Sequence, residues 1–98
     1  MPSPLTIVAV IQACSGNETE VERALENLIV PTLAEPGCLQ YDLHRDHEKP
    51  GRFLFFENWA TKAEWETHME SEHLAGMKAA TDGKIDSTVI YQMEKTGS

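Results

Sequence analysis

Positive charge is scarce in this sequence. Eight Lys and Arg stand against 16 Asp and Glu, a net charge of −8, so phosphate backbones and anionic membrane surfaces are repelled on average. Arg23, Arg45, Lys49, Arg52, Lys62, Lys78, Lys84 and Lys95 lie scattered among acids without forming a basic cluster. Neither nucleic acid nor membrane is expected as a partner. Cysteine is equally sparse: Cys14 and Cys38 alone are too few for a disulfide scaffold and read as reduced thiols of a cytoplasmic protein. No stretch reaches the roughly 20 apolar residues of a membrane span. The apolar start, 1–13, has no positively charged leader, which argues against a signal peptide. Asn17-Glu18-Thr19 matches a glycosylation sequon in form only. Glycine-rich phosphate loops, a Ser-centred elbow, internal repeats and low-complexity segments are all absent.

What is present is ordinary for a globular chain, with 41% hydrophobic and 24% charged residues. Ninety-eight residues make one domain, 1–98, with a core from about Leu5 to Met93. Such a chain buries roughly 60 to 70% of its unfolded surface.

Leu5 to Ile11 is β-branched and almost continuously apolar, as in a strand with both faces buried. From Asn17 the period changes. Val21, Ala24, Leu25, Leu28, Ile29 and Leu33 fall at helical spacing, and Asn17 with Glu20 has the form of a capping box. Pro31 cannot donate to the carbonyl of Asn27, so a kink or restart is expected there. Cys38 to Asp46 alternates, with Leu39, Tyr41 and Leu43 on one face and Gln40, Asp42 and His44 on the other. Pro50-Gly51 turns the chain back into a partner strand, Arg52 to Trp59. Thr61 and Glu64 form a second capping box, behind which Trp65, His68 and Met69 share a helical face. A polar break at Glu70-Ser71-Glu72 predicts another short helix, Ser71 to Thr81, with Leu74 and Met77 inward. In the last strand, Ile85 to Met93, Ile85, Ser87, Val89, Tyr91 and Met93 alternate with Asp86, Thr88, Ile90 and Gln92. The tail after it reads as frayed.

The order β-α-β-β-α-β predicts a ferredoxin-like α+β fold, a four-stranded antiparallel sheet with its helices on one face. Both faces of the first and third strands are apolar: Ile7 and Ala9 alternate with Val8 and Val10, and Phe53 and Phe55 with Leu54 and Phe56. Helices cover only one face. The other would exceed the few hundred Å² of contiguous apolar surface typical of monomers, and a two-fold homodimer is the common way to cover it.

Three stretches carry a family resemblance: Glu35-Pro36-Gly37-Cys38-Leu39-Gln40-Tyr41, Phe55-Phe56-Glu57-Asn58-Trp59, and His68 followed by Ser71. With them the chain resembles the antibiotic biosynthesis monooxygenase domains of the quinol monooxygenase-like group, from about Leu5 to Met93. The resemblance implies a dimeric α+β barrel with a pocket in each subunit between sheet and helices. It also implies oxidation of quinols or polycyclic aromatics by O2 without flavin, haem or metal. The haem-degrading branch of similar domains carries an Asn on the first strand, a Trp on the second helical segment and an axial His beyond it. Here Ala9, His68 and Lys78 stand at those places, so haem is not expected.

His68 is the candidate catalytic base. It lies on the inward face with Trp65 and Met69, and an imidazole can take a phenolic proton near neutral pH; the competing reading is a structural histidine bonded to a strand or a carboxylate. Tyr41, Phe55, Trp59, Trp65 and Met69 are the candidate walls for a flat aromatic substrate, although aromatics at such spacing also serve as plain core. Glu57 and Asn58 point oppositely, so only one can face a pocket. His44 and His47 straddle a strand end, and His68 and His73, five apart on a helix, are expected on different sides. Neither spacing makes a ligand pair, so no metal or other cofactor is expected. Cys14 and Cys38 have no basic neighbour to activate them. The expected function is a cofactor-independent monooxygenase acting on a quinol or polyphenol. The alternatives are a non-oxidative isomerase or breakdown enzyme for a small carbonyl metabolite, and a non-catalytic small-molecule-binding dimer.

Overall fold

The computed structural model describes residues 3–97. Four strands and four helices follow one another along it: β1 (Leu5–Ala13), α1 (Glu18–Glu26), α2 (Ile29–Leu33), β2 (Cys38–Arg45), β3 (Arg52–Trp59), α3 (Lys62–Met69), α4 (Glu72–Ala80) and β4 (Ile85–Met93). The strands form one sheet in the order β2-β3-β1-β4, every neighbouring pair antiparallel. This is the ferredoxin-like α+β fold.

The period-2 rule assigns the strand faces. On β1 Ile7, Ala9, Ile11 and Ala13 are buried, and on β3 Phe53, Phe55, Glu57 and Trp59 are buried. Ile7 sits opposite Glu57, and Ala9 opposite Phe55. Val21, Leu25 and Leu28 from the first helical segment and Leu74 from α4 close the core over this inner face. Each large apolar side chain buried here contributes roughly 1.5–3 kcal/mol.

Local features depart from strict periodicity in four places. The break in the first helical segment falls at Asn27–Leu28 rather than at Pro31, because the missing proline N–H leaves the Asn27 carbonyl without its helical partner and the chain restarts as α2 one turn earlier. That restart rotates the face, so Thr32 is buried and Leu33, expected inward, is exposed. Asn17 makes no side-chain cap to α1. Instead Glu18 accepts from the Gly16 N–H at 2.9 Å, and Glu20 pairs with Lys84 at 2.6 Å.

The other two departures are bulges. In β2 Cys38 pairs with Trp59 but Gln40 with Asn58, so Leu39 is the extra residue, and it is exposed rather than beside Tyr41. In β4 the pairing skips Asp86, which puts Ile85 on the inner face with Thr88 and Ile90. Ile85 therefore does not share a face with Val89, Tyr91 and Met93.

Thr61 caps α3 as expected, its hydroxyl oxygen accepting from the Glu64 N–H at 3.2 Å, but the Glu64 carboxylate returns to the Thr61 hydroxyl, which donates to it at 2.9 Å, and not to the Thr61 N–H of a full capping box. Ser71 caps α4 in the same way through the Leu74 N–H. Glu70 ends α3 directly after Met69 and Ser71 caps the start of α4, so the second helical segment divides at Glu70–Ser71, a division that shapes the site below. On the sheet's other face Val8, Val10, Leu54 and Phe56 are half-buried, and Val89, Tyr91 and Met93 are 44%, 47% and 46% exposed. Gln40, Asp42 and His44 make the β2 side of that face polar.

Candidate active site

A cavity of about 430 Å³ lies between the inner sheet face and α3 and α4. Drug-sized ligand sites begin near this size, at roughly 300 Å³. Tyr41 and Phe55 form part of its floor, Trp65 and Met69 descend from α3, Leu74 and Met77 from α4, and Lys78, Asp82 and Thr88 stand toward β4. Tyr41 and Phe55 stack with ring centroids 4.5 Å apart. Of the five expected wall residues, Tyr41, Phe55, Trp65 and Met69 line this space. Trp59 does not. It is fully buried beneath the site, with its ring centroid 4.8 Å from that of His68.

Of the ionisable side chains that line the cavity, Lys78 and Asp82 are exposed at its rim, whereas His68 and Glu57 are buried. His68, 2% exposed, sits at the C-terminal end of α3. Its Nδ1 lies 2.6 Å from a carboxylate oxygen of Glu35 in the loop between α2 and β2. That loop is held against α3 because Gly37 adopts a positive φ and packs so closely on the Glu64 carboxylate that any Cβ there would collide with it. With Nδ1–H donating to Glu35, the lone pair of the ring resides on Nε2, the atom a proton acceptor requires. Burial lowers the His68 pKa against the opposing pull of Glu35, favouring this neutral form.

Glu57 is the second group, and residue spacing did not single it out. It occupies β3 between Phe55 and Trp59, 4% exposed, and accepts a 2.9 Å hydrogen bond from the Trp59 indole N–H. Burial pushes its pKa up to about 7, partly offset by that hydrogen bond. The readable signal is parity: an acid in the alternate-residue series Phe53, Phe55, Glu57, Trp59 must face the core. Burial, followed by the nearby Glu57 charge, also raises the Tyr41 pKa, so that phenol stays protonated.

His73 corrects the expectation that it points away from His68. Its Nε2 lies 2.8 Å from the same Glu35 oxygen that His68 engages. An unbroken helix would separate the two rings; the stop at Met69 and the restart at Glu72 bring their centroids to 6.0 Å.

The Glu57 carboxyl has a consequence for stability. In an unfolded chain it titrates near 4.5, and in the fold near 7, so the native state holds the proton longer. Stability contributed by the neutral form is complete below pH 4.5 and is lost as pH rises through about 7. Glu57→Gln, which keeps an acceptor for Trp59, is expected to lose the fall in urea midpoint that the Glu57 carboxyl imposes between pH 4.5 and about 7, and to exceed wild type at pH 8 by about 3 kcal/mol. Equal stability of the two proteins at pH 8 would show that Glu57 is not desolvated.

The family model for antibiotic biosynthesis monooxygenases matches residues 4–80. The chain therefore belongs to the antibiotic biosynthesis monooxygenase family. The crystal structure of PA3566 from Pseudomonas aeruginosa superposes with a TM-score of 0.94 at 35% identity, covering 99% of this chain and 98% of that one. Putative monooxygenase Rv0793 of Mycobacterium tuberculosis is 28% identical over 79 residues, 81% of this chain and 77% of its own length. Uncharacterized protein sll1783 of Synechocystis is 27% identical over 70 residues, 71% of this chain, which spans 48% of that protein. A monooxygenase-like function in general follows from the family. No helix among the described residues is long and apolar enough to cross a membrane.

Proposed function

We propose that the protein is a cofactor-independent monooxygenase that oxidises a quinol-like aromatic with O2, working as a homodimer joined through its outer sheet face. The observation that carries the activity is the placement of a neutral imidazole and a near-neutral carboxyl on one apolar aromatic cavity. His68 Nε2 takes a phenolic proton, and the anion, held away from water, gives one electron to O2. Superoxide and the aryloxyl radical combine at a ring carbon to form a peroxide. Loss of the ring proton from that carbon to the Glu57 carboxylate breaks the O–O bond, and the protons now held by His68 and Glu57 leave with the departing oxygen as water. A quinol thus becomes a hydroxyquinone: O2 accepts four electrons, one oxygen atom enters the new carbonyl, and the other ends in water.

The cavity speaks against a purely packed dimer interior, since Tyr41, Trp65 and Met69 leave room between them. Oxygen uptake with a panel of hydroquinones, in the presence of a chelator, tests the reading. One O2 consumed per hydroxyquinone formed is expected. Turnover of a carbonyl substrate without oxygen uptake would instead establish the isomerase alternative.

For the dimer, the support is the apolar outer face. Val8, Val10, Leu54, Phe56, Val89, Tyr91 and Met93 form a continuous patch across β3, β1 and β4, flanked by the polar edge of β2. Such a patch is the self-complementary surface that a two-fold pair buries.

A further inference from the structure

We propose that Glu35, His68 and His73 bind a divalent transition-metal ion of borderline softness, with Zn2+ the best match, at the inner end of α3. The donor set is two imidazole nitrogens and one carboxylate oxygen, the three-ligand complement of open zinc sites. All three ligand atoms lie within 4.8 Å of one another. His68 Nδ1 and His73 Nε2 converge on the same Glu35 oxygen, at 2.6 and 2.8 Å. Zn2+ bonds to these atom types at about 2.0–2.2 Å, so tetrahedral ligand atoms stand roughly 3.3 Å apart. Admitting the ion needs the Glu35 oxygen to draw back from each ring nitrogen by roughly half an ångström and the two ring nitrogens, within 4.8 Å of each other, to come to a similar spacing. Three ligands from three separate elements can adjust in this way by side-chain rotation.

Surroundings favour occupancy as well. Glu35 comes from the loop pinned by Gly37, His68 from the last turn of α3, and His73 from the first turn of α4, whose start the Ser71 cap fixes. Side-chain exposure is graded, 2% at His68, 13% at Glu35 and 24% at His73. The ion thus has a floor, walls and an entry path from the His73 side. Its charge exceeds that of the single carboxylate, and the ion displaces the proton that His68 Nδ1 donates to Glu35.

A corollary rests on the monooxygenase reading, whereas metal binding itself does not. With Nδ1 on the metal, the His68 proton resides on Nε2, and the ring no longer accepts a substrate proton. Zn2+ therefore inhibits turnover, and a chelator restores it.

Isothermal titration of chelator-treated protein with ZnCl2 at pH 7.5 tests the site without any turnover. One Zn2+ per chain is expected, with affinity reduced at least about 10-fold in His73→Ala and in Glu35→Gln, and unchanged in His47→Ala. His73 lies outside the sealed core, so His73→Ala is expected to keep the wild-type circular dichroism. Absence of saturable binding overturns the proposal, as does binding that survives His73→Ala. Failure of oxygen uptake with every hydroquinone would leave the calorimetric result standing and would remove only the inhibitory corollary.

Discussion

Replacing His68 by Gln is expected to cut quinol turnover by roughly 100- to 10,000-fold, the usual contribution of a positioned general base. Gln fills a similar volume and can donate an amide N–H to Glu35, so the loop between α2 and β2 keeps its anchor. What it lacks is a lone pair basic enough to take a phenolic proton. The loss therefore falls on kcat, with KM little changed, because Tyr41, Phe55, Trp65 and Met69 still line the cavity. Steady-state oxygen uptake separates the two parameters. A His68→Gln enzyme with wild-type kcat would remove His68 from the chemistry and leave it as a buried structural residue.

The second large effect concerns assembly. Val10 sits at the middle of the outer sheet face, paired in register with Leu54 on β3 and Val89 on β4. In a face-to-face dimer, Val10→Asp places a carboxylate in a dry interface without a partner, a penalty of several kcal/mol. In a lone subunit the same position is half-buried and adjoins solvent, so the penalty there is smaller. Light scattering is expected to report twice 11.0 kDa for wild type and 11.0 kDa for the variant. Far-UV circular dichroism establishes that the variant remains folded. A wild-type particle of 11.0 kDa would contradict the pairing.

The fold was legible because its signals are local and repeated. The uninterrupted apolar run from Leu5, the alternation of β3 and the Thr61 cap each fix an element on their own. The bulges were not legible. A single extra residue at Leu39 or Asp86 leaves the composition of its strand unchanged and shows only in the partner's register. The site was half legible. His68, Trp65 and Met69 fall at helical spacing and Tyr41 and Phe55 at strand spacing, so one period brings each set to the cavity. Trp59 obeys the same parity but lies one residue pair beyond the cavity floor, where it supports Glu57 and His68 instead of lining the space.

Glu35 and His73 were beyond reach of periodicity for a different reason. Glu35 is 33 residues from His68 along the chain and approaches it only because β2 and α3 fold against the same end of the sheet. His73 meets them through a helix break whose effect on direction no repeat encodes. Glu57 could have been found: an ionisable residue at a core-facing strand position is costly unless something uses it.

Mass spectrometry of the product formed under isotopically labelled O2 is the most direct test of the monooxygenase chemistry. One labelled oxygen atom per hydroxyquinone is expected, with the second recovered in water. A product that carries no label, whether formed with or without oxygen uptake, would contradict it.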